Sequence, residues 1–228
     1  MADPDAYEMI TPPDEMLAGI DLERLRIVGR LILAKRLGKI ETLLPATCRC
    51  VTLHVPTLVR AFAAACPPVT LGRQENARQF RDFILAYEGP PLAPGYLADL
   101  AQLEYLAAAA SFTARDGPSA RPTTHLDPSW TACEVRVSPE LHLFETEYDL
   151  PAAFVDSPPA ALARGRPRLV AIVPVAPQAR VFQLEEDITG LLLDLQTWTA
   201  VEPEGARQIV ESLGGHGLVE LRRCDSAS

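Results

Sequence analysis

RLVAIVPVAPQARVFQLEEDITGLLLDLQTWTAVEPEGARQIVESLGGHGLVEL, residues 168–221, carries the ordering of signals that decides the fold. Arg168 to Pro174 is an apolar run rich in β-branched residues and too short for a secure helix, and Val181 to Leu184 is a second one. They are close in sequence, so a hairpin turning over Ala176 to Arg180 is the simplest pairing. Glu185, Glu186 and Asp187 then stand where acids favour a helix N-terminus, and Ile188, Leu191, Leu192 and Leu195 recur on one face. A second helix is predicted from Pro203 to Gly214 and Gly215, with Ala206, Ile209, Val210 and Leu213 as its apolar stripe. Leu218, Val219 and Leu221 close a small winged-helix-like unit.

Units of this kind often hold nucleic acid, but the charge balance points elsewhere. The chain carries 21 Lys and Arg against 30 Asp and Glu, and the second helix has Arg207 as its basic residue among Glu202, Glu204 and Glu211. A phosphate backbone would repel such a surface. Recognition of another polypeptide remains open to it, because a sheet edge accepts an extended peptide while the groove beside a helix selects side chains. The strand Val181, Phe182, Gln183, Leu184 and the helix positions Ile209, Val210 and Leu213 are the candidate peptide-binding residues, although Phe182, Leu184, Ile209 and Leu213 equally suit a core.

With 228 residues, 48% of them hydrophobic and 22% charged, the chain is long enough for a substantial core and two modules. The first thirty residues contain Asp3, Asp5, Glu8, Asp14 and Glu15 and lack an apolar run behind a basic segment, so no secretory signal is expected. No stretch has the length of a membrane span, and a cytoplasmic location is the expectation. Five cysteines, an odd number, fit thiols of a reducing compartment. Cys48, Cys50 and His54 lack the second pair of a zinc motif, and Cys66 would complete four ligands only if the intervening chain folded back. Cys48, Cys66 and Cys133 read as small core hydrophobes.

The first part of the chain, residues 1–115, reads as a bundle of about five helices. Thr11, Pro12, Pro13 and Asp14 resemble a helix start. From Asp21, Leu25, Val28, Leu31, Ile32 and Leu37 form an apolar stripe, with Arg24, Arg30, Lys35 and Arg36 on the other side and Gly38 as the end. Leu43 to Pro56 is expected to be irregular or extended, with a short strand from Val51 to Val55. Leu58, Val59, Phe62 and Ala65 suggest a helix stopped by Pro67 and Pro68. Thr70 caps the next, with Ala77, Phe80 and Ile84 buried, and Pro94 and Gly95 open the longest helix.

Asp116 to Pro128 is linker-like, and residues 116–228 form the second module. In it Trp130 to Val137 and Leu141 to Tyr148 are strands, and the strand at Leu169 can join their sheet. The fold class is α+β: a helical bundle, then a mixed sheet with the winged-helix-like unit. No phosphate loop, serine nucleophile elbow, paired-histidine zinc motif or calcium loop occurs, and His54, His125, His142 and His216 lie in different local settings. No catalytic and no metal-binding residue is assigned, and a stand-alone enzyme is unsupported.

The helical first module, with Pro94, Tyr96, Leu97, Leu100 and Tyr105 in the stretch Pro91 to Ala110, followed by a mixed second module, resembles the partner proteins of multinuclear nonheme iron oxygenases. The nearest resemblance is to the MbnC-like proteins of methanobactin biosynthesis. Val181 to Leu221 is similar to the PqqD-related precursor-recognition module of ribosomally made peptide pathways, through Phe182, Leu184, Leu192, Leu195, Val201, Ile209 and Leu213 and the ending Gly217, Leu218 and Val219. The resemblance implies a heterodimer with an iron oxygenase. In it this chain binds the precursor's leader peptide, and the core cysteines reach the partner's iron to become oxazolone and thioamide groups. The iron would belong to the partner, and no cofactor, nucleic acid or membrane to this chain. A winged-helix regulator or a general interaction adaptor is the alternative.

Overall fold

The computed structural model describes residues 21–67, 72–116, 133–154, 157–175, 178–201 and 203–223. Among the described residues, seven α-helices and two small antiparallel sheets make an α+β protein in two compact units, one of residues 1–105 with 150–162, the other of 106–149 with 163–228.

The first unit is helical. Its elements are α1 (Leu22–Glu41), α2 (Pro45–His54), α3 (Thr57–Ala65), α4 (Arg73–Leu85) and the first part of α5 (Leu97–Asp116). Asp21 caps α1, its carboxylate accepting from the Glu23 and Arg24 amides. Gly38 does not end the helix, which continues to Glu41 and a Thr42 cap. The expected apolar stripe is also not the buried face: Leu25, Val28, Leu31 and Ile32 are half-exposed or more, and Leu33, Arg36 and Ile40 are buried instead. Those three, at i, i+3 and i+7, make a stripe of their own, rotated around the axis from the one the apolar pattern suggests.

Arg36, expected on the side away from the apolar stripe, is inside. Its Nε donates to Asn76 Oδ1 at 2.9 Å, its Nη2 to Gln79 Oε1 at 2.7 Å, and its Nη1 to the Cys66 carbonyl, with the guanidinium 4.1 Å from the Phe62 ring centroid. Neutral oxygens and an aromatic face satisfy a buried cation, and it joins α1 to α3 and α4. Phe62 packs on Phe80 at 4.9 Å and on Phe83 at 5.5 Å.

The segment expected to be extended is the helix α2. Pro45 sits in its first turn, and Leu44 offers no side-chain cap. Glu104, on α5, supplies it from far along the chain: Oε1 accepts from the Ala46 amide at 2.8 Å and Oε2 from the Thr47 amide at 2.7 Å. The Thr11–Asp14 helix start and Thr70 lie outside the described residues; α4 is capped at Gly72.

The second unit holds β1 (Cys133–Val137), β2 (His142–Tyr148), β3 (Arg164–Val173), β4 (Arg180–Gln183), α6 (Glu186–Asp194), β5 (Thr199–Val201), α7 (Pro203–Gly215) and β6 (Val219–Arg223). β3 and β4 form the expected hairpin, and β2 lies along the other edge of β3, giving the order β2-β3-β4. The strand predicted from Trp130 does not join that sheet. β1 pairs antiparallel with β5 and β6 in a second sheet, order β5-β1-β6. One core serves both sheets and both helices, through Val135 of β1, Ala171 and Val173 of β3, Leu192 of α6, Val210 and Leu213 of α7, and Val219 of β6.

Candidate functional site

β4 is the edge of its sheet among the described residues. Which of its backbone groups are available follows from the register. The Leu184 amide donates to the Leu169 carbonyl at 2.9 Å, so Leu184 and Leu169 are a hydrogen-bonded pair. Antiparallel pairs alternate, so Phe182 bonds to Ala171 and Arg180 to Val173, while the N–H and C=O groups of Val181 and Gln183 turn away from β3 toward the open side. The Ala179 amide, just before β4, donates to Ser111 Oγ at 2.9 Å and anchors the entry of the strand.

Side-chain alternation divides the same residues. Phe182 and Leu184 turn to the core, where Phe182 also meets His216 edge-on at 5.3 Å. Val181 and Gln183 turn to the opposite face; Val181 is exposed, and Gln183 Nε2 is buried without a hydrogen-bond partner among the described residues. Of the α7 candidates, Val210 and Leu213 are core residues and Ile209 is 48% exposed. The side chains of Leu184, Val210 and Leu213 are therefore occupied within the protein, and what this region offers a ligand is the backbone of Val181 and Gln183.

A groove adjoins that edge at the foot of the sheet, between the first half of β3 and α6. It has a volume of about 1110 Å³, and Gln183 and Leu184 contribute to its lining while Val181, Phe182, Ile209, Val210 and Leu213 do not. Pro167 and Leu169 line it from β3, and Thr189, Gly190 and Leu193 from α6. Its charged residues are Glu145, Arg166, Arg168, Glu185, Glu186 and Asp187. Arg166 Nη1 reaches to 3.8 Å from Glu186 Oε1 across the mouth. β3 is longer than β4 and extends past it, but Pro167 has no amide hydrogen, which blunts that part of the β3 edge. The sequence signal for α6 as the groove wall was present in its acidic first turn and Gly190; the pairing of its flank with β3 was not.

On the outer face of the second sheet, Arg136 donates to Glu220 at 2.8 and 2.9 Å and Arg222 to Glu134, with both guanidinium groups stacked on Trp198. These cross-strand pairs satisfy one another and stiffen the sheet.

The helical unit has a smaller apolar cleft of about 380 Å³, lined in part by Leu37, Cys48, Arg49, Leu53 and Val59. Burial, with Glu104 and Glu41 nearby, pushes the Cys48 thiol up to about 12, so the sulfur there is a protonated, unreactive group near neutral pH. Burial also raises the Cys50 thiol, whose sulfur lies 3.8 Å from Tyr96 Oη. Among the described residues no three His, Cys, Asp or Glu side chains converge as a metal site would require. No helix of the described residues is long and apolar enough to cross a membrane.

The sequence matches no protein-family model and no curated protein.

Proposed function

We propose that this chain is a non-catalytic subunit that binds the leader of a ribosomally made precursor peptide as an added strand on β4. In this reading it presents core-peptide cysteines to an iron-dependent oxygenase carried by a separate partner. The observation that supports the binding role is the edge of β4, where the backbone groups of Val181 and Gln183 face outward and which leads, at Gln183 and Leu184, to a groove large enough for side chains. The partner and its chemistry, oxazolone and thioamide formation as in methanobactin biosynthesis, come from the resemblance of the two-module order to MbnC-like and PqqD-related proteins. Holding the leader raises the effective concentration of the core cysteines at the reacting centre without supplying a reacting group. The reading sets this work in the cytoplasm, where thiols stay reduced.

The decisive variant is Val181→Pro. Its amide faces away from β3, so proline removes the outward donor and leaves the β3 ladder intact. With the protein co-expressed and purified beside its candidate oxygenase, leader affinity measured by fluorescence anisotropy is expected to fall at least about tenfold at an unchanged melting temperature. A Val181→Pro protein that binds the leader as tightly as the parent would remove strand addition from the account.

A further inference from the structure

We infer that the groove between β3 and α6 selects an extended peptide carrying one apolar anchor flanked by basic side chains. The inference rests on the peptide-binding reading and says which peptides it applies to.

The first argument is charge. Four carboxylates, Glu145, Glu185, Glu186 and Asp187, and two guanidinium groups, Arg166 and Arg168, line the groove, so its balance is acidic, as is that of the whole chain at −9. Glu185, Glu186 and Asp187 are consecutive at the start of α6, and Glu145 lies across from Leu169 on β2, so carboxylates stand on both the helix and the sheet side. A ligand with basic residues on either side of its anchor meets opposite charge at both; an acidic one is repelled at both. The ion pair across the mouth is the weak kind. The Arg166 and Glu186 side chains are 88% and 84% exposed and 3.8 Å apart, so solvent screens them and an incoming Lys or Arg can take the place of Arg166.

The second argument is shape. Gly190 stands in the middle of α6, where glycine is a poor helix former, and a Cβ built on it would meet nothing within 4 Å. No neighbour in the protein requires a glycine there. Its absent side chain leaves the helix wall open there, and Leu193, which is 57% exposed, lines the same groove with Leu169 and Leu184. An apolar side chain of a peptide laid over Gly190 has Leu193 to pack on, with its neighbours along the strand turned to the opposite face and the next same-face positions directed to the carboxylates.

The test pans the full-length protein against a displayed library of random peptides of about twelve residues, at low salt and again at about 500 mM. Enriched sequences are expected to share one Leu, Ile, Val or Phe with Lys or Arg two residues to either side. The synthetic winner should bind at least about tenfold more tightly than its Lys-to-Glu counterpart, with the gap narrowing in high salt. Panning against a Glu186→Lys/Asp187→Lys protein should lose the basic residues from the winners, and Gly190→Trp should weaken the winning peptide at least about tenfold with circular dichroism unchanged. Enriched peptides of neutral or acidic character, or a Gly190→Trp protein that binds normally, overturn the inference and leave peptide binding standing. A library with no enriched sequence overturns both.

Discussion

Glu104 shows how one residue joins segments that are distant in sequence. Its two oxygens accept the Ala46 and Thr47 amides in a site where it is 5% exposed, so a carboxylate on α5 performs the task of the missing cap on α2. Burial raises its pKa against the opposing pull of those amides and of Arg49. The unfolded chain releases this proton in the ordinary carboxylate range while the folded chain holds it to higher pH. The folded state therefore binds more protons in between, and the contribution of Glu104, complete below that range, declines as pH rises through the folded value. Glu104→Ala leaves two buried amides unpaired and is expected to cost about 2–4 kcal/mol in urea unfolding near neutral pH. The stability difference between parent and variant should shrink as pH rises above about 4.3. A difference that grows across that window would contradict the sign of the shift.

At the scale of the element, the end of α7 is the clearest case. The Leu218 amide donates to the Leu213 carbonyl at 3.0 Å and the Gly217 amide to the Gly214 carbonyl at 2.8 Å, a Schellman closure with Gly217 at φ +78°. The residue the turn requires is therefore Gly217, while Gly214 and Gly215, which the sequence offers as the stop, remain helical. A Cβ on Gly217 would also stand 2.9 Å from Val173 Cγ1. Gly217→Ala is expected to destabilise by about 1–3 kcal/mol, from the left-handed backbone and that contact together. Gly215→Ala, with nothing within 4 Å of its new methyl, should be neutral or stabilising by up to about 1 kcal/mol. Equal melting temperatures for the two variants would refute the assignment.

At the scale of the molecule, the order of segments in space departs from their order in sequence. Leu150 and Ala153 are fully buried in the helical unit, although they follow β2 of the other one. The same excursion brings the Pro159 carbonyl to the Tyr96 hydroxyl and the Pro158 carbonyl to within 3.0 Å of His54 Nε2. A fragment ending at residue 116 keeps every helix of the first unit and loses this segment. It strips the cover from the site of Leu150 and takes the Pro159 carbonyl from the Tyr96 hydroxyl, so it is expected to melt at least about 10 °C below the first transition of the full chain. A fragment as stable as that would show the excursion to be incidental.

What the sequence by itself determined is the local grammar: the α+β class, the β3-β4 hairpin, the acidic start of α6, the Pro203 start of α7 and most helices of the first unit. Each of these is written in periodicity, caps and turn residues within a few positions of one another. Only the tertiary structure decided the rest. α2 depends on a cap from Glu104, the buried side of α1 is the one that carries Arg36, and β1 chooses β5 and β6 over its sequence neighbour β2. The candidate site divides in the same way. The strand Val181 to Leu184 was legible as an apolar run, but which backbone groups face outward follows from the Leu184–Leu169 bond. Whether Val210 and Leu213 line a groove or a core follows from what packs on them. Local propensity acts within a turn or a strand, whereas pairing and burial are settled by groups that meet only once the chain has folded.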